Sequence, residues 1–129
     1  MEKPKYDLED RLVEYTCRMI DVVEALPHSR ARNYIAGQLI KSCHSPTFNY
    51  GEVQAAESRD DFIHKLAVAL KELKECRTAL KVIMKKELIK SVEKLHGIFK
   101  ETEELIAIIA KSKETAKHSK TANKLNIEN

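Results

Sequence analysis

The chain has 129 residues, 43% hydrophobic and 33% charged, with three glycines, three prolines and a formal net charge of +3. That length suits one domain with a single core. Three cysteines, Cys17, Cys43 and Cys76, with no close-spaced pair exclude a disulfide framework, and no apolar run approaches the roughly 20 residues needed to cross a bilayer.

The N-terminus shows no apolar signal segment, so a reduced, cytoplasmic setting is expected. Abundant Leu, Ile, Ala, Lys and Glu favour helix throughout. The charge is not spread evenly. Residues 111–129 hold five lysines against two glutamates, which leaves the first 110 residues neutral. Any nonspecific attraction for a polyanion then comes from that tail or from local patches.

After a polar lead, Asp7 is an N-cap candidate, and Leu8, Leu12, Tyr15, Met19, Val22 and Leu26 repeat at steps of four and three. This spacing predicts a first amphipathic helix ending before Pro27, because the residue preceding proline avoids helical geometry. Ser29 caps the second.

In that second helix Gln38, Ser42, Ser45, Asn49 and Glu52 fall on one stripe, a polar seam beside an apolar one of Ile35, Leu39, Cys43, Pro46, Tyr50 and Val53. So wide an uncharged face predicts packing on more than one side, with the polar groups bonded to one another across helices. Pro46 admits two readings, a break at Ser45 or a kinked continuation; both stripes hold phase across it, which favours continuation.

Ser58-Arg59-Asp60-Asp61 resembles a capping box with Asp in the place of Glu, so a third helix opens at Ser58. Its apolar stripe contains one misfit, Arg77. A hairpin folded about residues 57 and 58 pairs positions whose numbers sum to about 115, which sets Gln38 near Arg77, and Glu52 near Ile63 and Lys65. Arg77 then either joins the polar seam or reaches past it to solvent. Residues 85–87 are a link, and Leu88, Val92, Leu95, Phe99, Thr102, Ile106 and Ile109 mark a fourth helix. From Lys111 the apolar period stops, which predicts fraying helix and then a disordered basic tail. The expected architecture is all-α: an up-down-up-down antiparallel four-helix bundle over residues 1–110, followed by a tail at 111–129.

Signs of chemistry are sparse. Glu93-Lys94-Leu95-His96 has the Glu-x-x-His spacing of di-iron bundles, but once rather than twice. Cys43 and His44 are adjacent on a helix and are expected to point apart. No phosphate loop, nucleophile elbow or HExxH occurs. No catalytic residue, metal or cofactor is therefore assigned. Lys65, Lys71, Lys74, Lys81, Lys85 and Lys86, with Lys113, Lys117 and Lys120 of the tail, are the candidate contacts for RNA or DNA phosphates. The competing reading is a solvated face balanced by Glu72, Glu75 and Glu87. No motif for reading bases is present.

Gln38 to Ser42, Ser45-Pro46 with Asn49 and Glu52, Ser58 with Asp61-Phe62-Ile63, and Ala69-Leu70-Lys71-Glu72 through Glu75 together resemble the bacterial four-helix-bundle family of proteins encoded in intervening sequences of 23S ribosomal RNA genes. The resemblance spans about residues 8 to 110. It implies a left-handed up-down bundle that assembles into a homopentameric ring, with no established enzymatic activity. Related accessory proteins of diversity-generating retroelements are basic pentamers that bind nucleic acid and a reverse transcriptase; the neutral body here departs from their charge. The expected function is a noncatalytic homo-oligomeric scaffold or adaptor whose first partner is itself, with RNA or DNA or another protein as further candidate partners and no membrane.

Overall fold

The computed structural model describes residues 7–53, 58–90 and 92–128, with side chains for all of these except Val53, Val92 and residues 120–128. Four helices follow in order: α1 (Leu8–Ala25), α2 (Arg30–Val53), α3 (Arg59–Lys85) and α4 (Val92–Glu128). No strand occurs among the described residues.

The ends are set by local chemistry. Asp7 accepts from the Asp10 amide at 2.7 Å, Ser29 Oγ from the Arg32 amide at 3.1 Å, and Ser58 Oγ from the Asp61 amide at 3.1 Å. Each satisfies a donor that the first helical turn leaves unpaired. α3 stops in a Schellman arrangement: the Leu88 amide reaches Ile83 O at 3.0 Å, the Glu87 amide reaches Met84 O at 3.2 Å, and Glu87 takes a φ of 51°. Arg32 Nε donates to Leu88 O at 3.0 Å and ties the start of α2 to this turn.

α2 runs through Pro46 as one helix, the continuation that its stripes favoured. Proline removes one ladder bond and pushes on the preceding turn. Side chains attend two carbonyls of that preceding turn: Thr16 Oγ1 donates to Cys43 O at 3.0 Å and Asn49 Nδ2 to Ser45 O at 2.9 Å.

Neighbouring helices run antiparallel. Across α1 and α4, Arg11 meets Glu104 and Tyr15 meets Thr102; across α1 and α2, Leu12 O accepts from Thr47 and Cys43 O from Thr16. Across α2 and α3, Ser42 meets Glu75 and Glu52 meets Lys65. Arg59 and Phe62 at the start of α3 line a cleft with Ile108, Lys111 and Thr115 of α4. Each helix packs on the next in chain order and α4 packs on α1, while among the described residues the backbones of α1 and α3, and of α2 and α4, do not approach.

The core is the inner stripe of each helix, including Leu12, Met19, Leu39, Leu66, Leu73, Leu80, Leu95, Leu105 and Ile109. One polar layer crosses it. Tyr15, fully buried, shares a 2.7 Å hydrogen bond with Thr102, whose Oγ1 donates to Ile98 O, so the phenol is the donor. Burial holds the Tyr15 phenol well above its usual range and pushes the Cys76 thiol up to about 12, with Cys43 nearby adding to the latter.

The basic segment from Lys111 is helical as far as Glu128. Ala116 is only 3% exposed, and Ser112 and Thr115 pack beside Phe62.

Candidate assembly groove beside the second helix

Between α2 and α3, on the outer side of the bundle, lies a groove of about 750 Å³. Its floor is apolar, with Ile35 and Leu39 from α2 and Leu70, Ala79 and Val82 from α3; Tyr34 overhangs it, and Lys71, Lys74 and Lys113 stand along its rim. α2 supplies one wall because its inner stripe is committed to the core while its next stripe, the polar seam, turns toward α3.

The seam does not form one continuous network. Gln38 is exposed at the groove and Glu52 is exposed at the far end. Ser42, 3% exposed, donates from Oγ to Glu75 Oε2 at 3.1 Å. Asn49 Nδ2 bonds back to Ser45, at 2.9 Å to its carbonyl and 3.1 Å to its hydroxyl. Glu52 accepts from Lys65 Nζ at 2.9 Å. The structure therefore divides the seam into three local links.

Arg77 takes no part in them. It is half-buried on α3 and makes no hydrogen bond or ion pair among the described residues. The bonded pairs Ser42–Glu75 and Glu52–Lys65 both have numbers summing to 117; Glu52 meets Lys65 as expected, but this register, two residues beyond a sum of 115, sets Gln38 opposite Ala79 rather than Arg77. A two-residue shift turns an α3 side chain through more than half a turn of helix. Glu75 accordingly comes to Ser42, where the shorter register had brought Arg77 to Gln38.

The same shift brings in Glu72, the residue that the heptad reading left among the balancing surface charges. Its Oε2 is buried and lacks a hydrogen-bond partner. Burial, and the adjoining Glu75 carboxylate with which it can share a proton, raise the Glu72 carboxyl above its ordinary value.

The candidate phosphate contacts fall into distinct settings. Lys71, Lys74, Lys81, Lys85 and Lys86 are exposed on or just beyond α3. Lys65 is engaged by Glu52 at 2.9 Å and Asp61 at 3.8 Å. Lys113 reaches the groove rim, Lys117 is exposed on α4, and the side chain of Lys120 lies outside those described.

Cys43 and His44, expected to point apart, are in contact. His44 folds back along its own helix until Nδ1 is 2.6 Å from Ile40 O, which leaves it 3.6 Å from Cys43 Sγ. Burial pushes the Cys43 thiol up to about 11, so the pair is a thiol beside an imidazole rather than an activated thiolate. Glu93 and His96 are both exposed. Among the described residues no group of three or more His, Cys, Asp or Glu side chains is placed to hold a metal ion, and no helix is long and apolar enough to cross a membrane.

α2 also presents large apolar side chains to solvent. Tyr34 is 70% exposed and Phe48 64%, with Ile40 at 37%; Val13 on α1 and Val82 on α3 flank them. His44 stacks on Phe48 at a ring distance of 5.8 Å.

No curated protein matches the chain. A solved structure from Bacteroides thetaiotaomicron, described as a protein of unknown function from the S23 ribosomal protein family, superimposes with a TM-score of 0.73 at 27% identity, covering 80% of this chain and 94% of that one. The family model for the 23S rRNA-intervening sequence protein matches residues 6–111, which take in α1, α2, α3 and the first part of α4, and the chain belongs to that family.

Proposed function

We propose that the protein is a noncatalytic homo-oligomeric scaffold or adaptor, a helical bundle whose second helix is covered by another copy of itself. One observation carries this reading: α2, already buried on its inner face, leaves Tyr34 more than 60% exposed beside an apolar groove and Phe48 more than 60% exposed at a second, shallow cleft. Apolar surface of this kind, rimmed by polar residues, marks an interaction site. Five copies is the number that the family resemblance implies. Native mass spectrometry of protein purified at low salt without nuclease tests the reading. A homo-oligomer is the expected species, and a monomer at micromolar concentration overturns it.

A second reading is favoured by the exposed lysines of α3. Lys71, Lys74, Lys81 and Lys85 share one outward stripe about 21 Å long, a run suited to phosphates of RNA or DNA. Here the same experiment finds nucleic acid on the oligomer, shed as salt rises. Binding that ignores salt, or that survives neutralising those four lysines and deleting residues 111–129, removes this reading.

A further inference from the structure

Arg11 and Arg18 stand seven residues apart on α1 and so share one stripe toward α4. The α4 stripe that meets them reads Lys94, Gly97, Glu101 and Glu104, at steps of three, four and three. Arg11 finds two acids there: its guanidinium bonds both oxygens of Glu101, at 2.9 and 2.6 Å, and reaches Glu104 at 2.8 Å. Arg18 finds a glycine. A Cβ built on Gly97 would stand 3.4 Å from Arg18 Nη2, so the guanidinium lies against the α4 backbone, where any other residue would put a side chain. Half-buried there, Arg18 makes no hydrogen bond or ion pair among the described residues. Its donors form a planar fork shaped for a carboxylate.

Beside this guanidinium, between the end of α1, the start of α4 and the link that precedes α4, lies a cleft of about 400 Å³. That size suits a small molecule, for which pockets run from about 300 to 1,000 Å³. The floor is apolar, with Val22, Ile89, Leu95 and Ile98 each at most 9% exposed. Two further charged groups line it, Asp21 and Lys94; both are exposed, and neither forms an ion pair among the described residues. Two cations and one anion thus surround an apolar floor without neutralising one another.

We infer that this cleft binds a small zwitterion with an apolar side chain, an apolar α-amino acid. Arg18 takes the α-carboxylate, with Lys94 as a second positive charge; Asp21, one turn along α1, takes the α-ammonium; the side chain lies on Val22, Ile89 and Ile98. Burial of that side chain supplies affinity, and the charges fix its orientation. A ligand with a carboxylate alone would leave Asp21 facing a like charge. The site goes beyond the assembly reading and is separate from its surface: it lies between α1 and α4, whereas the groove lies between α2 and α3, and α2 and α4 do not approach among the described residues.

Calorimetric titration of the full chain with L-leucine, L-methionine and L-phenylalanine in turn tests this, each beside analogues lacking one charge. For leucine these are 4-methylpentanoate and 3-methylbutylamine. Saturable binding of at least one of the amino acids is expected, weakened at least about tenfold by loss of either charge. Arg18→Gln is expected to weaken it as much. Asp21→Asn abolishes the preference for the amino acid over its carboxylate analogue, a change of selectivity that a general structural loss does not produce. Helicity by circular dichroism stays that of wild type in both variants. No saturable binding of any of the three at millimolar concentration overturns the inference, as does undiminished binding by a folded Arg18→Gln variant. Equal binding of the amino acid and its carboxylate analogue to wild type also overturns it, and makes the cleft a site for apolar carboxylates.

Discussion

Ser42 on α2 and Glu75 on α3 are joined by a 3.1 Å hydrogen bond, and beside it the Glu72 Oε2 is buried with no partner. Two carboxylates, three positions apart on one helix, thus share a site in which one hydroxyl is bonded to one of them. The folded chain holds the Glu72 carboxyl above its ordinary value. Its contribution to stability is therefore fully present below the usual carboxylate range, near 4.3, and is lost as pH rises through the raised value. Glu72→Gln mimics the protonated form. It is expected to raise the urea midpoint at pH 7 by the equivalent of about 0.5 kcal/mol, a small figure because the site is partly open to water, and to leave the midpoint unchanged at pH 4.

Arg11 and Glu101 bear on the opposite limb. The guanidinium meets the carboxylate at 2.6 and 2.9 Å and also reaches Glu104 at 2.8 Å. The hydrogen bond from Arg11 holds the Glu101 carboxyl below its ordinary value. That stability is present above the usual carboxylate range and lost as pH falls through the lowered value. Arg11→Ala should cost about 0.5–1 kcal/mol at pH 7 and low salt. Urea unfolding from pH 7 to pH 3 should show a shallower acid decline in the variant than in wild type.

Tyr15 tests the polar layer of the core. Tyr15→Phe keeps the ring and deletes the bond to Thr102, leaving Thr102 Oγ1 still donating to Ile98 O. A loss of about 1 kcal/mol is expected, against about 3–5 kcal/mol for Tyr15→Ala, which also leaves a cavity. A Tyr15→Phe variant as stable as wild type in thermal or urea unfolding would show that packing alone accounts for the residue.

Glu87 occupies a left-handed backbone position, φ 51°, where the α3 terminus needs it. Glycine adopts that conformation without steric cost. Glu87→Gly should raise stability by about 1 kcal/mol, read as a higher melting temperature with unchanged helicity. A lower melting temperature would mean that the Glu87 side chain contributes more than its backbone costs.

Periodicity and punctuation made the four helices legible before any coordinates. Asp7, Ser29 and Ser58 act through bonds to amides three residues away, which short sequence windows contain. The continuity of α2 through Pro46 was legible too, because both stripes kept phase. The tail was less so: Ala116 is buried by packing on another helix, and its own neighbourhood lacks an apolar period. In the same way the Cys43–His44 contact depends on a side chain folding back onto Ile40 O, an outcome that Cβ directions alone do not give.

The sequence by itself determined the helices, their caps and their inner faces, since all of these arise from residues within a few turns of one another. Only the tertiary structure decided the register of α2 against α3, and with it that Glu75 and Glu72 rather than Arg77 meet the polar seam. The reason is geometric. The turn bounds where a hairpin folds to within a residue or two, and side-chain packing along the whole pair selects among those registers. At about 100° per residue, that small choice determines which side chain faces the partner.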